Sequence, residues 1–139
     1  MSGTGEFPVN SLRICINQRK ENDVSGFLSS VALKETLHFS SKVEFVLKVD
    51  EAYDRIGQPQ PQQILRSFNE NGRLPYNSYK GSPVRFHTSD EIRKHIGSEA
   101  TYDLIMISRR HAEWQGILKN ADGGIKGEFE SVLECLAIL

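Results

Sequence analysis

Residues 102–111, YDLIMISRRH, are the stretch of this sequence that predicts its fold. The centre, residues 104–107, is an unbroken apolar run, which is typical of a strand buried on both faces of a parallel sheet. Arg109, Arg110 and His111 follow at the point where such a strand ends. Ligands of open α/β sheets bind at the carboxyl ends of the strands. The stretch therefore predicts a layered α/β architecture with a ligand crevice beside the two arginines.

Composition places the chain among ordinary globular proteins. It has 139 residues, with 17 basic and 18 acidic side chains and a formal net charge of −1. We expect one domain over residues 11–139 and interpret residues 1–10 as a linker or a cloning-derived extension. The balanced charge argues against a nucleic-acid partner. No run reaches the ~20 apolar residues that span a bilayer. Cys15 and Cys135 lie in apolar contexts, which is typical of buried thiols in a reducing compartment.

The remaining segments alternate in their predicted type. Apolar periodicity predicts strands over residues 12–16, 42–49, 84–87 and 102–108, and helices over residues 24–37, 62–71, 89–96 and 128–139. This alternation indicates a doubly wound, Rossmann-like α/β fold, with a mainly parallel sheet and helices on both faces. No internal repeat is predicted from the order of the segments.

Two segments resemble a known family. Residues 102–111 match most of the pattern YDL-x-I-V-G-R-R-H, and residues 128–137, EFESVLECLA, lie where that family has a closing motif like PELGPIGDLLA. On these residues the chain resembles the second universal-stress-protein-like module in the cytosolic C-terminal tail of plant monovalent cation/proton antiporters, the cation/H+ exchanger (CHX) family. Ser108, Glu130 and Leu133 replace glycines of the family patterns. The resemblance implies a universal-stress-protein-like fold over residues 11–139.

The function that this resemblance implies is regulation without catalysis. The chain would be a soluble domain of a potassium- or sodium-ion/proton antiporter, lying on the cytoplasmic side of the membrane without inserting into it. Its partners would be the membrane domain and the neighbouring cytosolic domain of the same transporter, or a second copy in a homodimer. No cofactor is expected. No metal is expected either, because the histidines and cysteines lack the spacing of metal ligands.

Arg109, Arg110 and His111 are the first candidate site residues. Guanidinium groups at a crevice suit a phosphate or carboxylate ligand or an interdomain contact, and His111 titrates near neutral pH. The structural alternative is that the arginines pair with carboxylates such as Asp103 or Glu113. We expect Arg109 and His111 at the carboxyl edge of the sheet, near the loop after the first strand. Joint replacement of both arginines with alanine is expected to leave folding largely intact.

Asn17, Asp23, Gly124 and Gly127 complete the candidate set. Asn17 and Asp23 follow the first predicted strand, and Asp23 precedes a predicted helix, where a carboxylate caps the backbone or contacts a ribose. The two glycines match the first half of the G-x-x-G…G-[ST] loop of nucleotide-binding universal stress proteins, but Ala137 stands at the next glycine position. The alternative function is therefore an adenine-nucleotide sensor of the universal-stress-protein type. A hydrolase or transferase with dispersed active residues is the third.

Overall fold

The fold is built on a six-stranded antiparallel sheet. The computed structural model describes residues 7–57, 85–110 and 113–139. In chain order the elements are β1 (Ser11–Lys20), β2 (Asp23–Ser29), β3 (Leu37–Phe39), α1 (Lys42–Ile56), α2 (Ser89–Arg93), β4 (Ala100–Arg110), β5 (Glu113–Asn120), β6 (Ile125–Phe129) and α3 (Val132–Ile138). The strands lie in the order β3-β2-β1-β4-β5-β6, and each neighbouring pair is antiparallel. The prediction of a doubly wound, mainly parallel sheet of the universal-stress-protein type is therefore wrong.

The helix predicted over residues 24–37 is part of this error, because the segment forms β2 and β3. Val24, Gly26 and Leu28 are buried and alternate with less buried residues, which is the period of a strand. The spacing of apolar residues that suggests a helix here ignores Gly26 in its first turn, and a glycine inside a helix is destabilising. Strand periodicity therefore describes this segment better than helix periodicity.

The strand predicted over residues 42–49 is also wrong, because it is the first half of α1. Buried side chains recur at helical spacing along the whole element: Phe45, Val49, Ala52, Tyr53 and Ile56. Asp23, Ser41 and Glu44 fix the start of this helix. Ser41 Oγ accepts a hydrogen bond from the Glu44 amide at 3.1 Å, and Asp23 Oδ1 accepts one from the amide of Lys42 at 2.8 Å. The first two turns of this amphipathic helix are rich in valine, so their sequence resembles that of a strand.

Two other predicted strands are confirmed as strands. Residues 12–16 lie in β1 and residues 102–108 lie in β4, although both strands belong to an antiparallel sheet. Of the strand predicted over residues 84–87, the described residues 85–87 form no strand. The two long apolar runs are thus the part of the sequence that predicts strands correctly.

The helices predicted late in the chain are confirmed only in part. The helix predicted over residues 89–96 is limited to α2. The helix predicted over residues 128–139 begins at Val132, because the preceding residues up to Phe129 belong to β6. The helix predicted over residues 62–71 lies outside the described residues.

The sheet contains an internal repeat, so the expectation of none is wrong. Repeat 1 (residues 12–49) contains β1, β2, β3 and the start of α1, and repeat 2 (residues 102–139), 90 positions later, contains β4, β5, β6 and α3. Aligned without a gap, the repeats share six residues: Arg19/Arg109, Gly26/Gly116, Leu28/Leu118, Phe39/Phe129, Ser41/Ser131 and Glu44/Glu134. The chain therefore carries two copies of one β-β-β-α unit.

The strand registers obey the same offset of 90 positions. Gly26 pairs with Phe39 in repeat 1, and Gly116 pairs with Phe129 in repeat 2. The register also shifts at equivalent places in the two long strands, between residues 16 and 18 of β1 and between residues 106 and 108 of β4. Agreement in pairing and in irregularity shows that the repeats are equivalent in three dimensions as well as in sequence.

The two repeats begin their helices in the same way. Ser131 Oγ accepts a hydrogen bond from the Glu134 amide at 3.0 Å, as Ser41 does from Glu44. In each case the glutamate side chain returns to accept the amide of the residue before the serine, at 2.7 Å. Both helices cover the same face of the sheet, where the largest buried side chains include Phe45, Trp114 and Phe129. The shared serine and glutamate are therefore explained by helix capping.

β1 and β4 join the repeats about a pseudo-two-fold axis. β1 and β4 are antiparallel and equivalent in the two repeats, so at one position a residue of β1 pairs with the residue 90 positions later in β4. This pair is Arg13 and Asp103. Arg13 Nε and Nη2 donate to the two carboxylate oxygens of Asp103 at 2.8 and 3.0 Å. The two side chains are only 3% and 8% exposed. Burial raises the pKa of Asp103, and the Arg13 guanidinium opposes that rise.

Candidate functional site

The sheet face opposite α1 and α3 is covered in repeat 1 by residues 85–99, which we name the covering segment. The amide of Ser98 donates to Asn17 Oδ1 at 3.0 Å. The amide of Glu99 donates to the carbonyl of Ile16 at 2.8 Å. Asn17, a predicted site residue, therefore holds a segment of the chain itself.

Further contacts hold the covering segment closer to the centre of the sheet. Arg13 Nη1 donates to the carbonyls of Arg93 and His95, at 3.3 and 3.2 Å. His95 Nδ1 lies 2.8 Å from Ser29 Oγ, and its ring meets the Phe27 ring edge-on with centroids 5.8 Å apart. Desolvation lowers the pKa of His95, with a further contribution from nearby His87 and Arg13. The covering segment is thus docked on repeat 1 through backbone and side-chain contacts.

Among the residues that the structure describes, the equivalent face of repeat 2 is approached by residues 7–10: Asn10 bonds to Met106, and Phe7 and Pro8 line a cleft with Ile105. Its centre is the register pair Ile105 and Ile117, which corresponds to Cys15 and Phe27 of repeat 1. Ile107 replaces Asn17 and is 59% exposed. We name this surface the open face and define it by five residues: Ile105, Ile107, Gln115, Ile117 and Glu128. The exposed position 17 of repeat 1 is thus a polar residue that bonds to the covering segment, whereas the equivalent position of repeat 2 is an exposed isoleucine.

A groove of about 470 Å³ lies at the outer end of the open face. Ile107 and Ile117 are among its lining residues. Three glutamates rim it: Glu128, Glu130 and Glu134. At the first two of these positions repeat 1 has His38 and Ser40. Repeat 2 therefore combines one exposed isoleucine, Ile107, with two carboxylates that its counterpart lacks.

Arg109, a predicted ligand residue, is buried in ion pairs with α1. Its Nη1 and Nη2 donate to Asp50 Oδ1 at 3.0 Å and to Asp54 Oδ1 at 2.9 Å. Its guanidinium lies 5.9 Å from the centroid of the Tyr53 ring, and its side chain is 4% exposed. Trp114 Nε1 donates to the same Asp50 oxygen at 3.2 Å. The structural alternative for Arg109 is therefore the one that the geometry supports, with partners on α1.

Arg109→Met is expected to lower the free energy of unfolding by about 2 kcal/mol, because it removes two charge-assisted hydrogen bonds and the contact with Tyr53. The two aspartates stay in contact with water, which limits the loss. Urea unfolding at neutral pH measures the change. Arg55→Met is the control, since Arg55 pairs with Glu51 on the solvent side of α1 and is expected to contribute less than about 0.5 kcal/mol. Equal losses in the two variants would contradict the structural role of Arg109.

Arg109 and Arg110, at the carboxyl end of β4, do not lie near the loop after β1. Arg110 is the last residue of β4 and lies opposite Glu113 in the register, and His111 lies outside the described residues. Ser11, at the start of β1, pairs with Ile105 of β4, so the carboxyl end of β4 lies away from the β1–β2 turn. The predicted position of Arg109 near that loop is therefore wrong, whereas that of His111 stays a prediction. The argument for a crevice holds for parallel strands, and these strands are antiparallel.

Asp23 accepts a hydrogen bond at the start of a helix, as the capping interpretation predicted. The helix is α1, however, because the residues directly after Asp23 form β2. The hydrogen bond of Asp23 with the Lys42 amide connects the start of β2 with the start of α1. The structure brings Asn17 and Asp23 into one hairpin, with Asn17 turned to the covering segment and Asp23 to α1. The predicted site residues are thus distributed over separate structural contacts.

Gly124 and Gly127 belong to the β5–β6 hairpin. The Gly124 carbonyl accepts the Asn120 amide at 2.7 Å, and its own amide donates to Asp122 Oδ1 at 2.8 Å. Gly127 lies under α3, since a Cβ there would lie 2.9 Å from Ile138 Cδ1. A phosphate-binding glycine loop leads from a strand into the start of a helix. This loop instead joins two antiparallel strands, so the two glycines are explained by the turn and by helix packing.

Both cysteine thiols of the chain are buried. Desolvation raises the pKa of the Cys15 and Cys135 thiols to about 12, so both are protonated at neutral pH. Within residues 7–57, 85–110 and 113–139, no group of histidine, cysteine, aspartate or glutamate side chains could hold a metal ion. None of the helices described is both long and apolar enough to cross a membrane.

Comparison with known proteins identifies no relative of this chain. No protein-family model, no curated protein and no solved structure matches it. The resemblance to plant antiporter modules thus stays a prediction from two sequence segments. The two repeats can, however, be compared with each other. Residues that they share indicate what the fold requires, and residues that differ indicate where the repeats have different roles.

The residues of the open face were missed by the reasoning from sequence. Aligning residues 102–139 with residues 12–49 places Ile107 against Asn17, and Glu128 against His38. That alignment contains the signal, because it shows an isoleucine where the first repeat has a polar residue. Reading each segment separately hides the difference.

Proposed function

We propose that this chain is a non-catalytic protein-interaction module that docks a segment of a partner protein on the open face of repeat 2. The observation that carries the proposal is an exposed isoleucine at the position where repeat 1 binds a piece of its own chain. Asn17 of repeat 1 holds the covering segment, whereas its equivalent in repeat 2, Ile107, is 59% exposed beside a groove of about 470 Å³. Exposed apolar residues grouped beside a groove mark interaction surfaces. The docked covering segment is the internal precedent that a piece of chain fits this kind of face.

The proposal is independent of the antiporter resemblance. A regulatory domain of a cation/proton antiporter would act through protein contacts, so the two ideas are compatible. The antiporter role draws on residues 102–111 and 128–137 alone, and the doubly wound fold that it implied is not the fold of this chain. Adenine-nucleotide sensing has less support, because Gly124 and Gly127 lie in a hairpin and Arg109 is paired with α1.

Selection of random peptides displayed on phage, with the intact protein as the target, tests the proposal. Enriched peptides are expected to bind wild-type protein and to bind Ile107→Asn about tenfold more weakly, because the change removes an apolar contact and installs the residue of repeat 1. Fluorescence anisotropy with the synthetic peptides measures both affinities.

Leu47→Asn is the matched control. Leu47 is exposed to a similar degree, 61%, but lies on α1 away from the open face. Affinity is expected to be unchanged in this variant, and circular dichroism checks that both variants are folded. Failure to enrich any peptide, or peptides that bind Ile107→Asn as well as wild type, would overturn the proposed function.

A further inference from the structure

A small cleft lies where β1, β4 and β5 meet on the sheet face opposite α1 and α3. From its geometry we infer that it binds a small organic carboxylate with a compact apolar body. Its volume is about 190 Å³, and a cavity of about 150 Å³ is enough for benzene. We name it the axial cleft and define it by five lining residues: Phe7, Pro8, Ser11, Ile105 and Lys119. It shares only Ile105 with the open face, so the inference goes beyond the proposed docking function.

The first support is a buried hydroxyl group in the wall of the axial cleft. Ser11 is 4% exposed, and its Oγ makes no hydrogen bond with any residue that the structure describes. Buried polar groups in native proteins almost always have a hydrogen-bond partner. The partner of this hydroxyl must therefore enter the cleft from outside.

The equivalent hydroxyl group of repeat 1 shows how such a position is satisfied. Thr101 lies 90 positions after Ser11, and its Oγ1 accepts a hydrogen bond from the Gly97 amide at 2.9 Å. The residue 90 positions before Gly97 is Phe7, whose amide donates instead to Ser89 Oγ at 2.8 Å. Ser11 thus lacks the internal donor that its counterpart has.

The second support is an ammonium group at the same cleft. Lys119 lines the cleft and forms no ion pair with the residues that the structure describes. Its equivalent in repeat 1 is Ser29, whose Oγ lies 2.8 Å from His95 Nδ1. Repeat 1 thus binds this position with its own chain, whereas repeat 2 presents a cation there.

Two carboxylates also line the axial cleft, and both already accept hydrogen bonds. Asp103 gives its two oxygens to Arg13 at 2.8 and 3.0 Å. Asp122 is exposed, and its Oδ1 accepts the Gly124 amide at 2.8 Å. The guanidinium of Arg13 neutralises the buried carboxylate, and water solvates the exposed one. The ammonium group of Lys119 therefore decides the charge that the cleft prefers, which is negative.

The apolar part of the wall consists of Phe7, Pro8 and Ile105. The guanidinium of Arg93 lies 4.8 Å from the centroid of the Phe7 ring and is paired with Asp90, which holds the ring in place. An aromatic or branched aliphatic body fits against these side chains. Its carboxylate accepts hydrogen bonds from the serine hydroxyl and the lysine ammonium. This arrangement defines the ligand as a small monocarboxylate.

Benzoate and isobutyrate, an aromatic and a branched aliphatic carboxylate, test the inference. Benzamide and isobutyramide are the matched neutral ligands. Each is added to the intact, nitrogen-15-labelled protein at neutral pH, and the amide signals are followed by two-dimensional NMR. At least one carboxylate is expected to shift the signals of Ser11, Ile105 and Lys119 with a dissociation constant of about 1 mM or less. Its amide is expected to bind about tenfold more weakly, because it carries no charge.

Variants of the two polar residues locate the binding. Lys119→Met is expected to remove the preference for the carboxylate over its amide, and Ser11→Ala is expected to weaken the carboxylate about fivefold. Lys34→Met, at an exposed lysine of repeat 1, is the control and is expected to bind as wild type does. Ser11→Ala is also expected to be at least as stable as wild type to urea, because it removes a buried hydroxyl group without a partner.

Each other outcome would overturn the inference. Absence of saturable shifts with both carboxylates would mean that the cleft holds only solvent. Equal affinity for a carboxylate and its amide, or binding that ignores Lys119→Met and Ser11→Ala, would exclude the assigned contacts. A clear loss of stability in Ser11→Ala would show that the hydroxyl group is structural. Peptide docking on the open face is measured separately by the phage selection.

Discussion

Asp103→Arg is expected to unfold the domain. The variant places two guanidinium groups opposite each other on the pseudo-two-fold axis, where the native side chains of Arg13 and Asp103 are 3% and 8% exposed. Breaking a buried ion pair costs about 3–5 kcal/mol, and repulsion between two buried cations adds to that cost. A domain of this size has a total stability of about 5–15 kcal/mol. Far-UV circular dichroism and urea unfolding at neutral pH measure the loss.

Exchange of the two charges is the decisive companion experiment. Arg13→Asp combined with Asp103→Arg restores an ion pair at the axis and is expected to be more stable than Asp103→Arg alone by at least about 2 kcal/mol. Recovery is expected to be incomplete, since Arg13 also donates to the carbonyls of Arg93 and His95. Asp90→Arg, at an exposed ion pair with Arg93, controls for charge reversal as such and is expected to cost less than about 1 kcal/mol. A charge-exchanged protein no more stable than the single variant would contradict the importance of the pair.

The ion pair also explains why two similar repeats join in one way. If a repeat paired with an identical repeat, position 13 or position 103 would face itself, and two arginines or two aspartates would repel. Opposite charges at the axis are compatible only with repeat 1 against repeat 2. The pair thus favours the pairing seen within one chain over pairing of like repeats from two chains, in the manner of buried polar residues that fix pairing in coiled coils.

Part of the fold is predictable from local sequence. Residues 12–16 and 102–108 are apolar enough to be recognised as buried strands, and they are the central pair of the sheet. Their parallel or antiparallel relation is not local information, because it depends on the path of the intervening chain. The prediction of a strand over residues 42–49 fails for a different reason. Over eight residues, a helix with β-branched residues on both sides has the composition of a strand, and the helical period becomes clear only when Ala52 and Ile56 are included.

The candidate site is less predictable than the fold. The sequence suggested a functional role for Arg109 because it follows an apolar strand. Its equivalent, Arg19, likewise bonds to the helical part of the other repeat, donating to the Leu139 carbonyl at 3.0 Å. Comparison of the repeats thus identifies this arginine as structural. The alignment of the repeats places Ile107 against Asn17, but the sequence does not show that Asn17 bonds to the covering segment. That contact, and the groove beside Ile107, are seen only in the folded chain.

Gly26→Ala and Gly116→Ala are expected to destabilise the domain strongly. A Cβ at Gly26 would lie 1.8 Å from the carbonyl oxygen of Cys15, and a Cβ at Gly116 would lie 2.3 Å from that of Ile105. These oxygens belong to the neighbouring strands β1 and β4, which cannot move without breaking the ladder between the repeats. Each variant is expected to lose about 3 kcal/mol or more in urea unfolding.

Gly124→Ala is the matched control for the glycine variants. The nearest atom to a Cβ at Gly124 is Asp122 Oδ1, at 3.3 Å, which belongs to a side chain in an exposed turn and can move. Its loss is expected to stay below about 1 kcal/mol. Similar losses at Gly26 and Gly116 would show that the two glycines serve one structural purpose in both repeats, as their positions require. A tolerated alanine at either site would mean that the close approach of the strands is not essential to the fold, and the argument from the shared glycines would fail.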